Sequence, residues 1–211
     1  MVVKLNKSIV VAITGGIGCG KTTVSNIIRD MGYIVISSDE NAKIIMNSNK
    51  HVMEQLIDTF GIQTFSDDGL LNKEYISNKV FGTTDEHEKA LQKLNSIVHP
   101  VVITKLIEEV EKHEKNGEKL IFVESALTFE AQLEEGFDYI IVVDSKEELV
   151  MERLKRRSEM KDDEIRYRIN QQIPQELKVQ NSDFVIQNNS NIDELKKSVD
   201  FVVNIFVQLA K

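Results

Sequence analysis

The sequence predicts a three-layer α/β fold, in which helices cover both faces of a five-stranded parallel sheet. Short apolar runs alternate with longer segments that carry apolar residues at helical spacing. The runs are continuous, which is typical of strands that are buried on both faces of a parallel sheet. A glycine-rich loop also joins the first run directly to the first helical segment. The predicted strands cover residues 9–14, 33–37, 120–123, 139–144 and 184–187.

Helical periodicity places the connecting helices. After the glycine-rich loop, Val24, Ile27, Ile28 and Met31 recur at positions i, i+3, i+4 and i+7, the spacing of a helix with one core-facing side. Gly32 is expected to end this helix, because glycine readily adopts the left-handed conformation that closes many helices. Further helices are predicted at 101–115, at 147–157 and, as a closing amphipathic helix, at 192–206.

Two segments stand outside this regular alternation. Between the second and third strands, residues 40–118 show helical periodicity only, at 44–60, 73–81 and 86–98. This stretch is too long for a simple crossover, and we interpret it as a helical substrate-binding insertion in a single domain whose core is 1–39 and 119–211. The arginine-rich segment 154–173 is interpreted as a lid of two helices around a polar turn at 158–162. The alternative for this segment is a solvated helical surface with local ion pairs.

Composition and charge exclude several classes of protein. A net charge of −8 over 211 residues disfavours a nucleic-acid partner, whose phosphates require a basic face. No apolar run approaches the roughly 18 residues of a membrane span, and residues 1–7 lack the apolar core of a signal peptide. Cys19 is the single cysteine, which argues against a disulfide framework. We therefore expect a cytoplasmic protein, a monomer or small homo-oligomer, with neither a nucleic-acid nor a membrane partner.

The glycine-rich loop carries the chemistry. Residues 15–22 match G-x-x-x-x-G-K-[ST], a loop that binds nucleoside triphosphates when it follows a strand and opens a helix. Lys21 would contact the β- and γ-phosphates and the Thr22 hydroxyl would bind Mg²⁺, while backbone N–H groups and the helix start form an anion site. The alternative is a glycine-rich turn that holds no ligand. The predicted nucleotide-binding residues are Gly16, Gly18, Cys19, Gly20, Lys21, Thr22 and Thr23.

The remaining motifs favour a small kinase of the phosphate-loop fold. A switch GTPase would need an Asn-Lys-x-Asp motif, and the sequence has none. A small kinase requires a carboxylate that orients or deprotonates the acceptor hydroxyl. Asp39 follows the second predicted strand, and we expect the end of that strand to lie beside the end of the first, where the loop begins. Asp39 is therefore the candidate base; its alternative role is to cap a helix that starts at Glu40.

Several segments together resemble the dephospho-coenzyme A kinases over about residues 9–209. They are residues 14–24, 34–39, 60–71, 94–100, 127–130, 153–172 and 182–188. The resemblance implies that ATP, with Mg²⁺, phosphorylates the ribose 3′-hydroxyl of dephospho-coenzyme A, giving coenzyme A and ADP in the last step of coenzyme A biosynthesis. It also implies that Asp39 is the general base. Arg157 is the lid residue expected to bridge the transferred phosphate, because a planar guanidinium matches phosphate oxygens. Lys21 completes the predicted catalytic set.

Other positions and functions stay open at this point. Ser37 stands where many relatives carry an aspartate, and Lys73 replaces the usual arginine. Glu124 either holds a Mg²⁺-bound water or is a surface cap. His99 either contacts the substrate or packs at a helix junction, and Cys19 is either redox-active or a small filler of the loop. The alternative functions are a kinase of another nucleotide or small alcohol, and a nucleotide-sensing protein without turnover.

Overall fold

The structure is a computed structural model that describes residues 8–82, 84–157 and 161–211. Residues 158–160 of the predicted polar turn and the N-terminal residues 1–7 lie outside this described part. The chain divides into two units. The first contains the described residues up to Ser37 together with 109–211, and the second contains residues 38–108.

The first unit contains the predicted five-stranded parallel sheet. Its strands are β1 Ile9–Thr14, β2 Ile34–Ser37, β3 Leu120–Glu124, β4 Tyr139–Asp144 and β5 Phe184–Gln187. They are ordered β2-β3-β1-β4-β5, and every pairing between neighbours is parallel. The strand predictions are therefore confirmed to within one residue at each end.

One expectation about strand order was wrong. β2 does not lie beside β1, because β3 pairs with both and separates them. In this register Glu124 of β3 is the partner of Ile13 on one side and of Ser37 on the other. Since neighbouring strands are about 4.8 Å apart, the end of β2 is two strand spacings from the strand that leads into the loop. The strand beside β1 is thus β3, and the carboxylate at its end is Glu124. Asp39 instead follows β2, which is one strand further away.

The helices are, in chain order, α1 Lys21–Asp30, α2 Ser38–Ser48, α3 Lys50–Phe60, α4 Lys73–Val80, α5 Asp85–Lys115, α6 Glu147–Arg157, α7 Asp162–Asn170, α8 Gln175–Gln180 and α9 Ile192–Leu209. Among the described residues, no helix combines the length and the apolar character needed to cross a membrane.

Alternate residues of the central strands enter two separate apolar clusters. Val11 and Ile13 of β1 belong to the larger cluster, which includes buried side chains of α1 and α9. Ala12, between them, belongs to the smaller cluster with Phe129, against which Val179 of α8 packs. Both faces of the sheet are therefore covered, as the continuous apolar runs predict.

The second unit is helical, with short polar caps at its helix starts. The side chain of Asn49 accepts a hydrogen bond from the N–H of Val52 and begins α3, and Asn72 accepts one from Tyr75 to begin α4. The hydroxyl of Tyr75 donates to the carbonyl of Phe60 at 2.7 Å, which fastens α4 to the end of α3. These caps satisfy N–H groups that have no partner inside the helix.

A helix break expected near His99 is absent. The segments predicted at 86–98 and 101–115 form one helix, α5, with Pro100 inside it. A proline inside a helix removes one hydrogen bond and crowds the preceding turn, yet α5 continues on both sides of Pro100. His99 is half-buried within α5, and burial lowers the pKa of its imidazole below the ordinary value. Because α5 is continuous at this point, His99 does not lie at a helix junction.

Phe206 of α9 connects several aromatic rings of the first unit. Its side chain is fully buried. Its ring centroid lies 5.0 Å from that of Phe184, 5.3 Å from Tyr139 and 6.2 Å from Phe122. Offset and edge-to-face ring pairs add to the free energy gained from apolar burial.

We expect the substitution Phe206→Ala to lower the free energy of unfolding by about 3–5 kcal/mol, because it removes a large buried side chain and leaves a cavity. The measurement is urea denaturation followed by circular dichroism. Phe201→Ala, on the same helix but at a position 68% exposed, is the matched control and should change the value by less than about 0.5 kcal/mol. Equal effects of the two substitutions would contradict the position of α9 on the sheet.

Candidate functional site

The loop between β1 and α1 depends on glycine at positions where the backbone is left-handed. Gly15 and Gly20 have φ angles of 143° and 100°. A Cβ on Gly15 would lie 2.3 Å from the carbonyl oxygen of Val143, and a Cβ on Gly20 would lie 2.2 Å from Nδ2 of Asn188. The loop therefore runs so close to the ends of β4 and β5 that no side chain fits at these two positions.

The Lys21 side chain turns back to contact the start of the loop. Its Nζ donates hydrogen bonds to the carbonyl oxygens of Gly15 at 2.9 Å and Gly16 at 3.1 Å. Lys21 is also the first residue of α1, whose N-cap, Gly20, offers no side chain to the first N–H groups of the helix. The start of α1 therefore combines a lysine ammonium with backbone donors and the positive end of the helix dipole, which suits an anionic ligand.

Thr22 and Glu124 meet at the carboxyl end of the sheet. The Thr22 hydroxyl donates to Oε1 of Glu124 at 2.8 Å, and Glu124 is only 7% exposed. The interpretation of Glu124 as a surface cap is therefore wrong. A hydroxyl and a carboxylate are oxygen ligands of the kind that Mg²⁺ binds directly or through water.

This pair supplies few ligands by itself. In the described ranges, no group of three or more His, Cys, Asp or Glu side chains could hold a metal ion. A site with so few protein ligands fits Mg²⁺, which commonly takes one or two protein oxygens and completes its shell with waters and substrate phosphates. The donor set beside the loop is therefore compatible with a Mg²⁺–nucleotide complex.

Asn188, directly after β5, fixes the middle of the loop. Its Nδ2 donates to the carbonyl oxygen of Cys19 at 2.8 Å, and the side chain is buried. The backbone of Asn188 makes a separate contact. The guanidinium of Arg153, in α6, donates to the backbone carbonyl of Asn188 at 2.8 Å and to Oγ of Ser145 at 3.0 Å. Arg153 thus contacts the protein's own chain directly after β4 and after β5.

The Cys19 thiol is buried, with only 3% of the residue exposed. Burial raises the pKa of this thiol above its ordinary value, an effect larger than the opposing attraction of Lys21. Because the thiolate is the reactive form, this environment favours Cys19 as a small side chain that fills the loop over the redox-active alternative.

The predicted catalytic residues Asp39 and Arg157 lie on two different helices. Asp39 is exposed and belongs to the second unit, where it is the second residue of α2. It lies inside the first turn, where a carboxylate is favourable, and does not precede a helix that starts at Glu40. Arg157 is exposed and is the last residue of α6. Their catalytic roles stay predictions.

Part of the arginine-rich segment forms surface ion pairs between α6 and α7. Arg166 contacts Glu147 at 2.7 Å, and Lys155 contacts Asp162 at 2.8 Å. All four side chains are about half exposed or more, so each pair contributes at most about 1 kcal/mol. These contacts favour the solvated-surface interpretation for these particular residues and leave Arg157 as the lid candidate.

Sequence reasoning missed the amide side chains that touch the loop. Gln172 and Gln175 accept hydrogen bonds from loop N–H groups, and Asn188 donates to the loop carbonyl. Gln172 and Asn188 belong to segments that carry the family resemblance. Nothing in the sequence predicts that these two or Gln175 contact the loop, since glutamine and asparagine are ordinary surface residues. Their roles depend on chain segments far apart in sequence.

We expect Gly20→Ala to weaken the binding of a nucleoside triphosphate by about tenfold to 100-fold, because its Cβ would displace Asn188 and shift the loop, with the loss of a hydrogen bond to a charged phosphate. Gly32→Ala is the matched control, since Gly32 has a similar φ of 92° but no atom within 4 Å of the added Cβ. Both substitutions share the strain of a left-handed alanine, about 1–2 kcal/mol. Calorimetric titration with ATP separates them, and equal loss in both variants would contradict the close approach at Gly20.

Comparison with known proteins identifies relatives along nearly the whole chain. The family model for dephospho-CoA kinase matches residues 9–194. A dephospho-CoA kinase from Bdellovibrio bacteriovorus is 36% identical over 199 residues, which cover 94% of this chain and 96% of the relative. One from Corynebacterium glutamicum is 31% identical and covers 92% and 97% of the two chains.

A solved structure shares the fold of this chain. The protein TT1252 from Thermus thermophilus superimposes with a TM-score of 0.76 at 28% identity, covering 93% of this chain and 97% of the other. The structural similarity therefore extends over nearly the whole of both chains. The family-model match over residues 9–194 and these relatives show that the chain belongs to the dephospho-CoA kinase family.

Proposed function

We propose that this protein transfers the γ-phosphate of ATP to the ribose 3′-hydroxyl of dephospho-coenzyme A, giving coenzyme A and ADP. The observation that carries the proposal is an intact phosphate loop, with Thr22 hydrogen-bonded to a buried Glu124, in a member of a family whose reaction this is. Phosphate-loop enzymes bind Mg²⁺ through the hydroxyl of the loop Ser/Thr and a nearby carboxylate, and the contact between Thr22 and Glu124 supports the same use here.

The loop and the start of α1 would hold the triphosphate. Residues 18–23 supply backbone N–H groups, and the Lys21 ammonium would leave its loop carbonyls to follow the phosphate that is transferred. Phosphoryl transfer requires positioning and charge neutralisation more than covalent chemistry by the protein. A loop whose donors are fixed before ATP arrives supplies both.

Thr22 and Glu124 would hold Mg²⁺, directly for the hydroxyl and directly or through water for the carboxylate. The ion, when bound, neutralises charge on the phosphates. Glu124 keeps the Thr22 oxygen oriented through their 2.8 Å hydrogen bond. It is buried at the end of β3, so that its carboxylate has little freedom to turn away.

Asp39 would orient the acceptor hydroxyl and accept its proton, and residues 38–108 would bind the acceptor. Arg157 would neutralise charge on the transferred phosphate from the lid segment. The exposure of both side chains is compatible with these roles, since a group that contacts substrate must be accessible. The alternative acceptor is another nucleotide or a small alcohol.

The first test is ADP release from ATP and Mg²⁺ with dephospho-coenzyme A as acceptor, with the product identified by mass and by the position of the new phosphate. One phosphate added at the 3′-position is the expected result. If the protein phosphorylated only a different hydroxyl compound, the proposed ATP site would stand and the proposed acceptor would be wrong. ATP binding without turnover of any acceptor would favour a nucleotide-sensing protein.

We expect Asp39→Asn to lower kcat by about 10²–10⁴-fold while the KM for both substrates changes little, because the amide cannot accept the proton. Asp58→Asn is the control, as Asp58 is an exposed aspartate on a helix of the same unit. Near-normal turnover in Asp39→Asn would restrict Asp39 to a favourable charge in the first turn of α2.

We expect Glu124→Gln to raise the Mg²⁺ concentration needed for half-maximal activity, or lower kcat, by about 10–100-fold, the usual effect of losing a group that orients a metal ligand. The amide can still accept the Thr22 hydrogen bond, so the melting temperature should change little. Glu135→Gln, at an exposed glutamate of the first unit, is the control. Unchanged Mg²⁺ dependence in Glu124→Gln would remove Glu124 from the metal site.

A further inference from the structure

Two glutamine side chains contact the first half of the phosphate loop. The N–H of Gly16 donates to Oε1 of Gln175 at 2.9 Å. The next N–H along the chain, that of Ile17, donates to Oε1 of Gln172 at 2.8 Å. Two consecutive loop donors are therefore bound by acceptors more than 150 residues away in sequence, as both separations show.

Gln175 connects the loop to the end of β4. Its Nε2 donates to the carbonyl oxygen of Val143 and to Oδ1 of Asp144, both at 3.1 Å. Because the amide nitrogen faces two acceptors and the amide oxygen faces the Gly16 donor, the hydrogen bonds determine which way the side chain is turned. Gln175 is thus held at both ends of its amide group.

Gln172 connects the loop to α7. Its backbone N–H donates to the carbonyl of Ile169 at 3.1 Å, which closes the last turn of that helix. Its side chain is half-buried and ends on Ile17. Any shift at the end of α7 would therefore move the acceptor of the Ile17 N–H.

A buried ion pair fastens residues 173–178, which include Gln175 at the start of α8. Nζ of Lys178 lies 2.6 Å from Oε1 of Glu130, and the Lys178 side chain is 0% exposed. The same Glu130 oxygen accepts the N–H of Ile173 at 3.3 Å. Breaking a buried pair leaves an uncompensated charge, so this anchor holds residues 173–178 at a fixed place against the sheet.

We propose that Gln172 and Gln175, here termed the glutamine clamp, are positioning residues that hold the start of the phosphate loop in the shape that ATP requires. A loop that is already shaped loses less conformational freedom when ligand binds. An amide oxygen also accepts the N–H bonds without placing a formal negative charge beside the phosphates, which a carboxylate would do. The inference rests on the proposed use of ATP.

The experiment measures the dissociation constant of ATP with Mg²⁺ by calorimetry on the full chain, without an acceptor, together with the melting temperature. Gln172→Ala and Gln172→Met should each weaken ATP binding by about fivefold, the usual contribution of one neutral hydrogen bond. Methionine retains the length of the side chain and removes the acceptor, so it separates hydrogen bonding from packing. Gln171→Ala is the matched control, since Gln171 is the adjacent exposed glutamine, and should bind ATP as the wild type does.

Amide hydrogen exchange supplies a readout that does not depend on ATP. In the wild type the Ile17 N–H should exchange slowly, and in both Gln172 variants it should exchange faster, while Gln171→Ala leaves it unchanged. Gln175→Ala should weaken ATP binding at least as much as Gln172→Ala. It should also lower the melting temperature further, because it removes the contacts with Val143 and Asp144.

Different results would contradict the proposed role of the glutamine clamp and the proposed function of the protein. ATP affinity and Ile17 exchange in Gln172→Ala equal to those of Gln171→Ala would overturn the clamp alone. Wild-type affinity in Gln172→Met would do the same, because it would assign the effect to side-chain volume. A wild-type protein that binds no ATP would overturn the proposed function and the clamp together, whereas one that binds ATP but fails to phosphorylate dephospho-coenzyme A would overturn the proposed acceptor only.

Discussion

The register between β1 and β3 is the constraint on which the arrangement of the site depends. It sets Glu124 opposite Ile13, two residues before the loop begins, and from there the carboxylate reaches the hydroxyl of Thr22 at 2.8 Å. A slip of one residue would turn Glu124 to the other face of the sheet. Burial of both faces of β1 and β4 opposes such a slip, since it would exchange the two sets of packed side chains.

Around the loop, the protein makes its contacts mainly with neutral groups. Three amide side chains hold it: Asn188 binds a loop carbonyl, and Gln172 and Gln175 bind loop N–H groups. Lys21 contributes the positive charge at the start of α1. This distribution gives the loop hydrogen-bond partners without a carboxylate on the N–H groups of Gly16 and Ile17, which suits an anionic ligand.

Much of the candidate site was predictable, because its chemistry is local in sequence. The spacing of Gly15, Gly20, Lys21 and Thr22 identifies a phosphate loop, and its position between a strand and a helix was confirmed. The role of Glu124 could not be decided from sequence, since a glutamate after a strand is equally suited to a surface. The prediction that β2 lies beside β1 was wrong for a different reason, because strand order depends on the whole sheet and not on any one segment.

The sequence by itself determined the elements that follow from periodicity and from short motifs: the five strands, most of the helices between them and the glycine-rich loop. Only the tertiary structure decided that β3 lies between β1 and β2, that α5 continues through Pro100 and that two glutamines contact the loop. The physical reason is distance along the chain. Apolar periodicity and backbone propensities act over a few residues, whereas strand order and side-chain contacts result from segments that meet only when the whole unit is folded.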